Sequence, residues 1–408
     1  MYAKIIRGAK QIGGNIIEIG TDTTRLIFDA GTNLPSIGER DSRDDISIDG
    51  LTCGTPAYHA VFISHHHADH CGLMSRISPD IPVYCGQETR EILRVIGDFT
   101  HQNIGSLKVF DRRKPVTVGD ITVTPIPTRH SAKDAYMFYI EAEGKTVLYS
   151  GDFNDFSSAA DFLTGKHIDV LITEGTNVNT GARGYIAGIT DERDVAAEAE
   201  RICREYDGTV FVLCSSANED RVQAIKTAAR NTGRTDYEDL FMAALRRSND
   251  TNKHKFIANY VKKNTPQHEY FDGYFSKKEL IGAETMAHSD GSKLIFVRQS
   301  MGGFIHKYLN SLPDPEKHKR HVLIYSMWKG YMKSAYTKKF LKAVEDAGVE
   351  IVYLHCSGHA YTDTLKSFVE TVSPSVLVPV HCEEKDRDAF YDIYKSCKMP
   401  EDGERFEI

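Results

Sequence analysis

The sequence has one tryptophan, no Cys-x-x-Cys pair among its eight cysteines, and no apolar run near the ~18 residues that span a bilayer. The cysteines at 53, 71, 85, 203, 214, 356, 382 and 397 are scattered and no export signal is evident, so a disulfide framework is excluded and free thiols are expected. Cys71, Cys356 and Cys382 stand close to the candidate ligands described below and are read as small buried hydrophobes. The opening Met1-Tyr2-Ala3-Lys4-Ile5-Ile6-Arg7 lacks the apolar core of a signal peptide, which points to the cytoplasm and to no membrane association. With 41% hydrophobic and 26% charged residues and no biased tract, the composition is that of an ordinary soluble globular protein, and disorder is not expected. A net charge of −7 argues against a nonspecific polyanion binder, yet the charge is uneven: residues 191–350 carry +3 and the remainder −10.

At 408 residues, the length favours two domains over one, given ~150 residues per domain. Up to about residue 175 the chain reads as short β-rich runs: 15–19, 25–28, 60–63, 121–123, 146–149 and 170–172. Within this stretch, the spacing of Ile92, Leu93, Val95 and Ile96 predicts a helix over 88–96. Beyond 190, amphipathic helices at 194–206, 220–231 and 333–347 alternate with apolar strands at 209–213, 295–297 and 322–325, an α/β pattern. Strands at 351–354 and 376–380 then carry histidines again, so an interrupted first domain is expected: residues 1–185 and 352–408, with an insert over 186–351.

The main chemical signal is Ser64-His65-His66-His67-Ala68-Asp69-His70-Cys71-Gly72, directly after the apolar run Ala60 to Ile63. Residues two apart in an extended segment point the same way, so His65 and His67 can offer imidazoles to one metal. Asp69 and His70, around the next turn, can face a second. Imidazole with carboxylate suits zinc first, with manganese or iron as alternatives. His66 reads as an exposed or satisfied neighbour. Other candidate ligands also end apolar runs: Asp29 after Leu26-Ile27-Phe28, His130 after 121–129, Asp152 after 147–151, Glu174 after 171–173, and His381 after 376–380. His359 follows shortly after the run ending at Leu354. Ligand sites in layered α/β folds gather at the carboxyl ends of strands, so these residues can converge on one rim.

In this order the chain resembles the metallo-β-lactamase superfamily and, within it, the β-CASP nucleases, a group that includes ribonuclease J and the endonuclease of the cleavage and polyadenylation machinery. The resemblance rests on Asp29-Ala30-Gly31, His65 to His70, His130-Ser131, Gly151-Asp152-Phe153, Glu174-Gly175-Thr176, Ser357-Gly358-His359-Ala360 and His381. In the insert it rests on Ser215 to Arg221 and Thr232-Gly233-Arg234. It implies an α/β chain built as an αββα sandwich with an inserted α/β β-CASP domain. It also implies two zinc ions per chain, with manganese as the alternative metal. His65, His67 and His130 would hold one ion, Asp69, His70 and His381 the other, and Asp152 would bridge them. Asp29 would orient histidines from behind. Glu174, His359 and His381 match the three signature positions of the group, and histidine at 381 resembles its RNA-cutting branch.

The implied reaction is hydrolysis of RNA, single-stranded by expectation, by a two-zinc-activated hydroxide, in endo or 5′-exo mode. Asp69, His359 and Glu174 are the expected catalytic residues, with His359, held by Glu174, as general acid. Ser216, Asn218, Ser357 and Gly358 are candidate phosphate contacts. Basic clusters lie at Arg246-Arg247, Lys253-His254-Lys255, Lys262-Lys263 and Lys317 to Arg320, and the lone Trp328 could either stack on a base or pack in the core. The rival readings are a DNA nuclease, a hydrolase of small phosphoesters or thioesters, and a noncatalytic binding module. Assembly into homo-oligomers is left open.

Overall fold

A computed structural model describes residues 1–34, 46–180, 186, 188–247, 257–258 and 280–408. The clusters Lys253-His254-Lys255 and Lys262-Lys263 lie outside the described residues. Two sheets form the first unit. One runs in the order Arg405–Glu407, Tyr2–Arg7, Ile16–Gly20, Arg25–Phe28, Ala60–Phe62, Val83–Cys85, Leu107–Val109. The other runs Val376–Val380, Val170–Glu174, Lys145–Tyr149, Ala135–Ala142, Ile121–Thr128, Val116–Val118.

Strand periodicity explains the layering. Leu26, Phe28, Ala60 and Phe62 from the first sheet pack against Phe138, Tyr149, Ile172 and Val378 from the second. The alternate residues Ile27, Val61 and Ile63 turn outward to join Leu93 of the helix Gln87–Thr100. On the far side, Leu148, Leu171 and Leu377 meet Leu163 of Ser157–Leu163 and Phe368 of Thr362–Val372. The result is the expected αββα sandwich. The carboxylate of Asp134 accepts from Glu88 N and Thr89 N at 2.9 and 3.1 Å, so the helix Gln87–Thr100 is capped by a residue far along the chain.

The third sheet is the inserted α/β unit: Leu280–Ile281, Ile257–Ala258, Thr235–Asp239, Lys293–Phe296, Val210–Cys214, Val322–Ser326 and Glu350–Tyr353, every pair parallel. Helices Gly302–Asn310 and Ala335–Asp346 cover one face, and Glu192–Glu205 and Glu219–Asn231 the other. Both faces are therefore covered, which is why the central strands Val210–Cys214 and Val322–Ser326 read as continuous apolar runs. One expectation needs correcting. The run near 351–354 does not reopen the first unit; Glu350–Tyr353 pairs with Val322–Ser326 at the edge of the third sheet. Ile351 and Tyr353 pack, partly buried, on one face of that sheet and Val352 on the other, so both sides of the strand find apolar partners in this layer. The two units also touch where Ile92 and Val95 meet Leu240, Ala243 and Leu245. No helix among the described residues is long and apolar enough to cross a membrane.

Candidate metal centre

The parallel strand pairs set the stage. Arg25–Phe28 runs parallel to Ala60–Phe62, and Lys145–Tyr149 to Val170–Glu174 and Val376–Val380, so their carboxyl ends come out side by side. Asp29, Ser64-His65, Asp152, Glu174 and His381 occupy those ends. Asp29 and His381 both have left-handed backbone, at φ 61° and 50°, a conformation that costs energy outside glycine and is typical of functional turns. After His67 the chain enters the short helix Ala68–Cys71, which swings Asp69 and His70 to a different side from His65 and His67. Gly31 permits this turn, because any Cβ there would land on the Asp69 carbonyl oxygen.

These residues converge. His65, His67 and His130 form one group of potential ligands, Asp69, His70, Asp152 and His381 a second, and Asp152, Glu174, His359 and His381 a third, with atoms in each group within 4.8 Å of one another. Asp152 Oδ2 sits at the middle: His70 Nε2 is 3.0 Å away, His130 Nε2 and His359 Nδ1 3.7 Å, and His65 Nε2 and His381 Nε2 3.8 Å. His66 is buried and stands outside these groups.

Four of the imidazoles are each aimed by an anchor on the other nitrogen. His70 Nδ1 donates to Asp29 Oδ2 at 2.7 Å, and His130 Nδ1 donates to the Gly358 carbonyl at 2.6 Å. Ser64 Oγ lies 2.9 Å from His65 Nδ1, and Thr176 Oγ1 lies 2.8 Å from His381 Nδ1. All four therefore turn Nε2 inward, the arrangement by which buried histidines are held ready for a cation. Asp29 is itself braced by Tyr149 Oη at 2.6 Å and by Ser64 N and Oγ at 2.7 and 2.8 Å.

The electrostatics point the same way. Burial holds His65 and His130 well below the usual histidine range, aided at His65 by the neighbouring imidazoles, so both are neutral. Burial alone would raise the Asp152 pKa, but the surrounding histidines hold it well below the ordinary carboxylate range. Burial likewise opposes charge on His359, and the Glu174 and Asp152 carboxylates outweigh it, pushing its pKa up to about 9. Yet His65 Nε2 and Asp152 Oδ1 are buried with no hydrogen-bond partner. Buried polar atoms are seldom left so, and neutral imidazoles facing an unsatisfied carboxylate suit a bound metal ion of borderline softness.

His359 Nδ1 lies 3.0 Å from Glu174 Oε2 and 3.1 Å from Thr176 Oγ1. Glu174 is fixed in turn by Phe153 N at 3.1 Å and Thr176 N at 3.2 Å. Of the four candidate phosphate contacts, Ser357 and Gly358 lie beside the cluster. Ser357 Oγ accepts from Asn177 Nδ2 at 2.9 Å and from His359 N at 3.2 Å. A side chain at Gly358 would strike Ser131 Oγ. Asn218 Oδ1 caps the helix Glu219–Asn231 by accepting from Arg221 N at 3.1 Å. Ser216 lines a separate cavity of about 120 Å³ with Lys133, Leu245 and Arg246.

Sequence reasoning assigned no role to Thr176, Asn177, Tyr149 or Arg221. Thr176 and Arg221 stand within the motifs Glu174-Gly175-Thr176 and Ser215 to Arg221, and Asn177 follows the first of them, which was the only hint. Arg221 is fully buried and donates to Ser326 Oγ at 2.7 Å and Cys356 O at 3.1 Å while paired with Glu192 at 2.6 Å. It therefore ties the insert to the segment leading into Ser357-Gly358-His359. The eight cysteines are free, as expected, and Cys71, Cys356 and Cys382 are buried.

An αββα sandwich with an inserted α/β unit and a histidine–aspartate cluster at its strand ends defines the architecture of a metallo-β-lactamase-type protein. Comparison with known families agrees. Residues 24–205 match the Beta-lactamase superfamily domain, and 349–392 match the Zn-dependent metallo-hydrolase RNA specificity domain. Ribonuclease J of Helicobacter pylori is 22% identical over 98% of this chain and 60% of its own length. Ribonuclease J of Sinorhizobium meliloti is 22% identical over 84% and 60%, and an RNase J-like protein of Methanocaldococcus jannaschii is 28% identical over 41% of each. The chain thus spans about 60% of the length of the ribonuclease J relatives it matches. A crystal structure of a protein of unknown function from Enterococcus faecalis shares the fold, with a TM-score of 0.79, 20% identity and 99% coverage of both chains. The chain belongs to the metallo-β-lactamase superfamily, in its β-CASP, ribonuclease J-like family.

Proposed function

We propose that this protein is a metal-dependent ribonuclease that hydrolyses phosphodiester bonds of single-stranded RNA at a two-zinc centre. The observation that carries the reading is the convergence of His65, His67, His130, Asp69, His70, His381 and Asp152. Its division into two groups that share Asp152 as neighbour suits two cations with a common carboxylate. When bound, zinc would supply an activated water and positive charge to offset that building on the phosphate. The ribonuclease J relatives, similar over nearly the whole chain, support RNA as substrate.

The chain's own residues supply the rest. Asp29 accepts from His70 Nδ1 and the Gly358 carbonyl from His130 Nδ1, so both Nε2 atoms face inward. Burial opposes charge on His70, but the Asp152 and Asp29 carboxylates raise its pKa well above the usual histidine range, so it would give up its Nε2 proton to a cation. Asp69 adds carboxylate charge beside His381, 3.2 Å away. Glu174 orients His359 through Nδ1, leaving Nε2 to deliver a proton to the departing ribose oxygen. Ser357 and Gly358 lie beside the cluster, and the Ser357 hydroxyl, which accepts from Asn177 and His359, keeps its own hydrogen for a phosphate, whereas Asn218 is spent on its helix cap and Ser216 lines the separate cavity. The insert runs over 186 to the end of the strand Glu350–Tyr353, and the sandwich comprises the segments on either side.

Metal analysis together with cleavage of end-labelled RNA tests this. The wild type should carry about two metals per chain. His359→Ala should keep them while losing activity by about 10²- to 10⁴-fold. Faster turnover of DNA or chromogenic phosphoesters than of RNA would overturn the substrate assignment, and a metal-free active protein would overturn the centre.

A further inference from the structure

In the third sheet Val210–Cys214, Val322–Ser326 and Glu350–Tyr353 are consecutive parallel neighbours, so their continuations leave from one rim. The segment after Glu350–Tyr353 enters the metal cluster, where Gly358 O meets His130 and His359 meets Glu174. The segment after Val210–Cys214 leads to Ser216 and Asn218. The middle strand's continuation therefore emerges between these two, and it carries the only tryptophan in the chain.

Trp328 does not join the core. It is 38% exposed, one of three exposed large hydrophobics among the described residues. Its indole is nonetheless held. Gly330 backs onto it so closely that a Cβ would collide with the ring, and Tyr331 meets it edge-on, with centroids 5.3 Å apart and planes at 89°. Tyr331 is half-buried, and burial, then the charge of Asp69, push its pKa up to about 12. Lys329 and Lys333 flank the pair in solvent.

We propose that Trp328, braced by Tyr331, is a stacking platform for an unpaired nucleobase of the RNA strand at the mouth of the metal centre. An indole face fixed by its neighbours stacks on any base at little entropic cost, and the two lysines suit the phosphates on either side. This rests on the ribonuclease reading. It adds that grip comes from a base face as well as from the phosphate.

Because Trp328 is the sole tryptophan, its emission reports the platform directly. In full-length His359→Ala, which should bind without cutting, oligoadenylate is expected to quench tryptophan emission in step with the anisotropy of a labelled strand. An abasic ribose-phosphate oligomer of equal length and charge should leave the emission unchanged. In the otherwise wild-type enzyme, Trp328→Ala should raise KM about tenfold with little change in kcat, and Trp328→Phe should restore most of the loss. Strand binding without quenching, equal quenching by the abasic oligomer, or an unchanged KM in Trp328→Ala would overturn the platform while leaving the nuclease intact. Emission that follows protein concentration and ignores RNA would assign the patch to self-association and overturn it too. If the wild type neither binds nor cleaves RNA, the nuclease reading falls first and the platform falls with it.

Discussion

Asp29 shows how a residue that touches no substrate can govern a site. Its Oδ2 takes the His70 Nδ1 proton and is braced by Tyr149, in a left-handed backbone that asparagine also tolerates. Asp29→Asn should therefore keep the fold and weaken metal binding by about 10- to 100-fold, as read by competition with a chelator. An unchanged affinity would show that the His70 tautomer needs no carboxylate. Glu18 offers a test remote from the centre. Burial would raise its pKa, but Arg25 at 2.9 Å and the Tyr2 and Tyr58 hydroxyls outweigh it and hold it below its ordinary 4.5. A depressed carboxylate contributes stability above its unfolded pKa and loses it as pH falls through the folded value. The stability gap between wild type and Glu18→Gln should thus be level from neutral pH to about 4.5 and shrink in more acid solution, as followed by urea unfolding at each pH. A gap that widens in acid would contradict the pairing.

At the scale of elements, the link between insert and site passes through one buried guanidinium. Arg221, on the helix Glu219–Asn231, reaches Ser326 at the end of one strand and Cys356 just past the next. Arg221→Met would strand those acceptors and the Glu192 carboxylate, at about 3 kcal/mol. The unfolding midpoint in urea should fall accordingly, and a shift within error would show that the network is replaceable. Strands were easier to read than their partners. Runs such as Val210–Cys214 are apolar throughout because both faces are covered, and that is visible in composition. The strand Glu350–Tyr353 has the same texture as Val376–Val380, and composition cannot tell which sheet a strand joins. Nor could local sequence reveal that Asp134 caps the helix Gln87–Thr100.

Across the whole molecule, the cluster draws on segments from residue 29 to residue 381, so filling it should clamp both ends of the chain together. A ligand that binds only the folded state stabilises it by mass action, by about 4 kcal/mol at 1,000 times its Kd. Chelation should lower the calorimetric Tm by several degrees and zinc should restore it; a Tm blind to chelation would mean that the folded state has no preference for the metal. What the sequence by itself determined was the candidate set and its order, because Asp29, His65, Asp152, Glu174 and His381 stand at the ends of apolar strands, which are legible from local hydrophobic patterning. Only tertiary structure decided which nitrogen of His65, His70, His130 and His381 faces inward, that Arg221 and Thr176 matter, and that Trp328 stands in solvent. The decisive contacts among them join residues far apart in sequence, such as Thr176 with His381, His130 with Gly358 and Arg221 with Cys356, which no local pattern encodes.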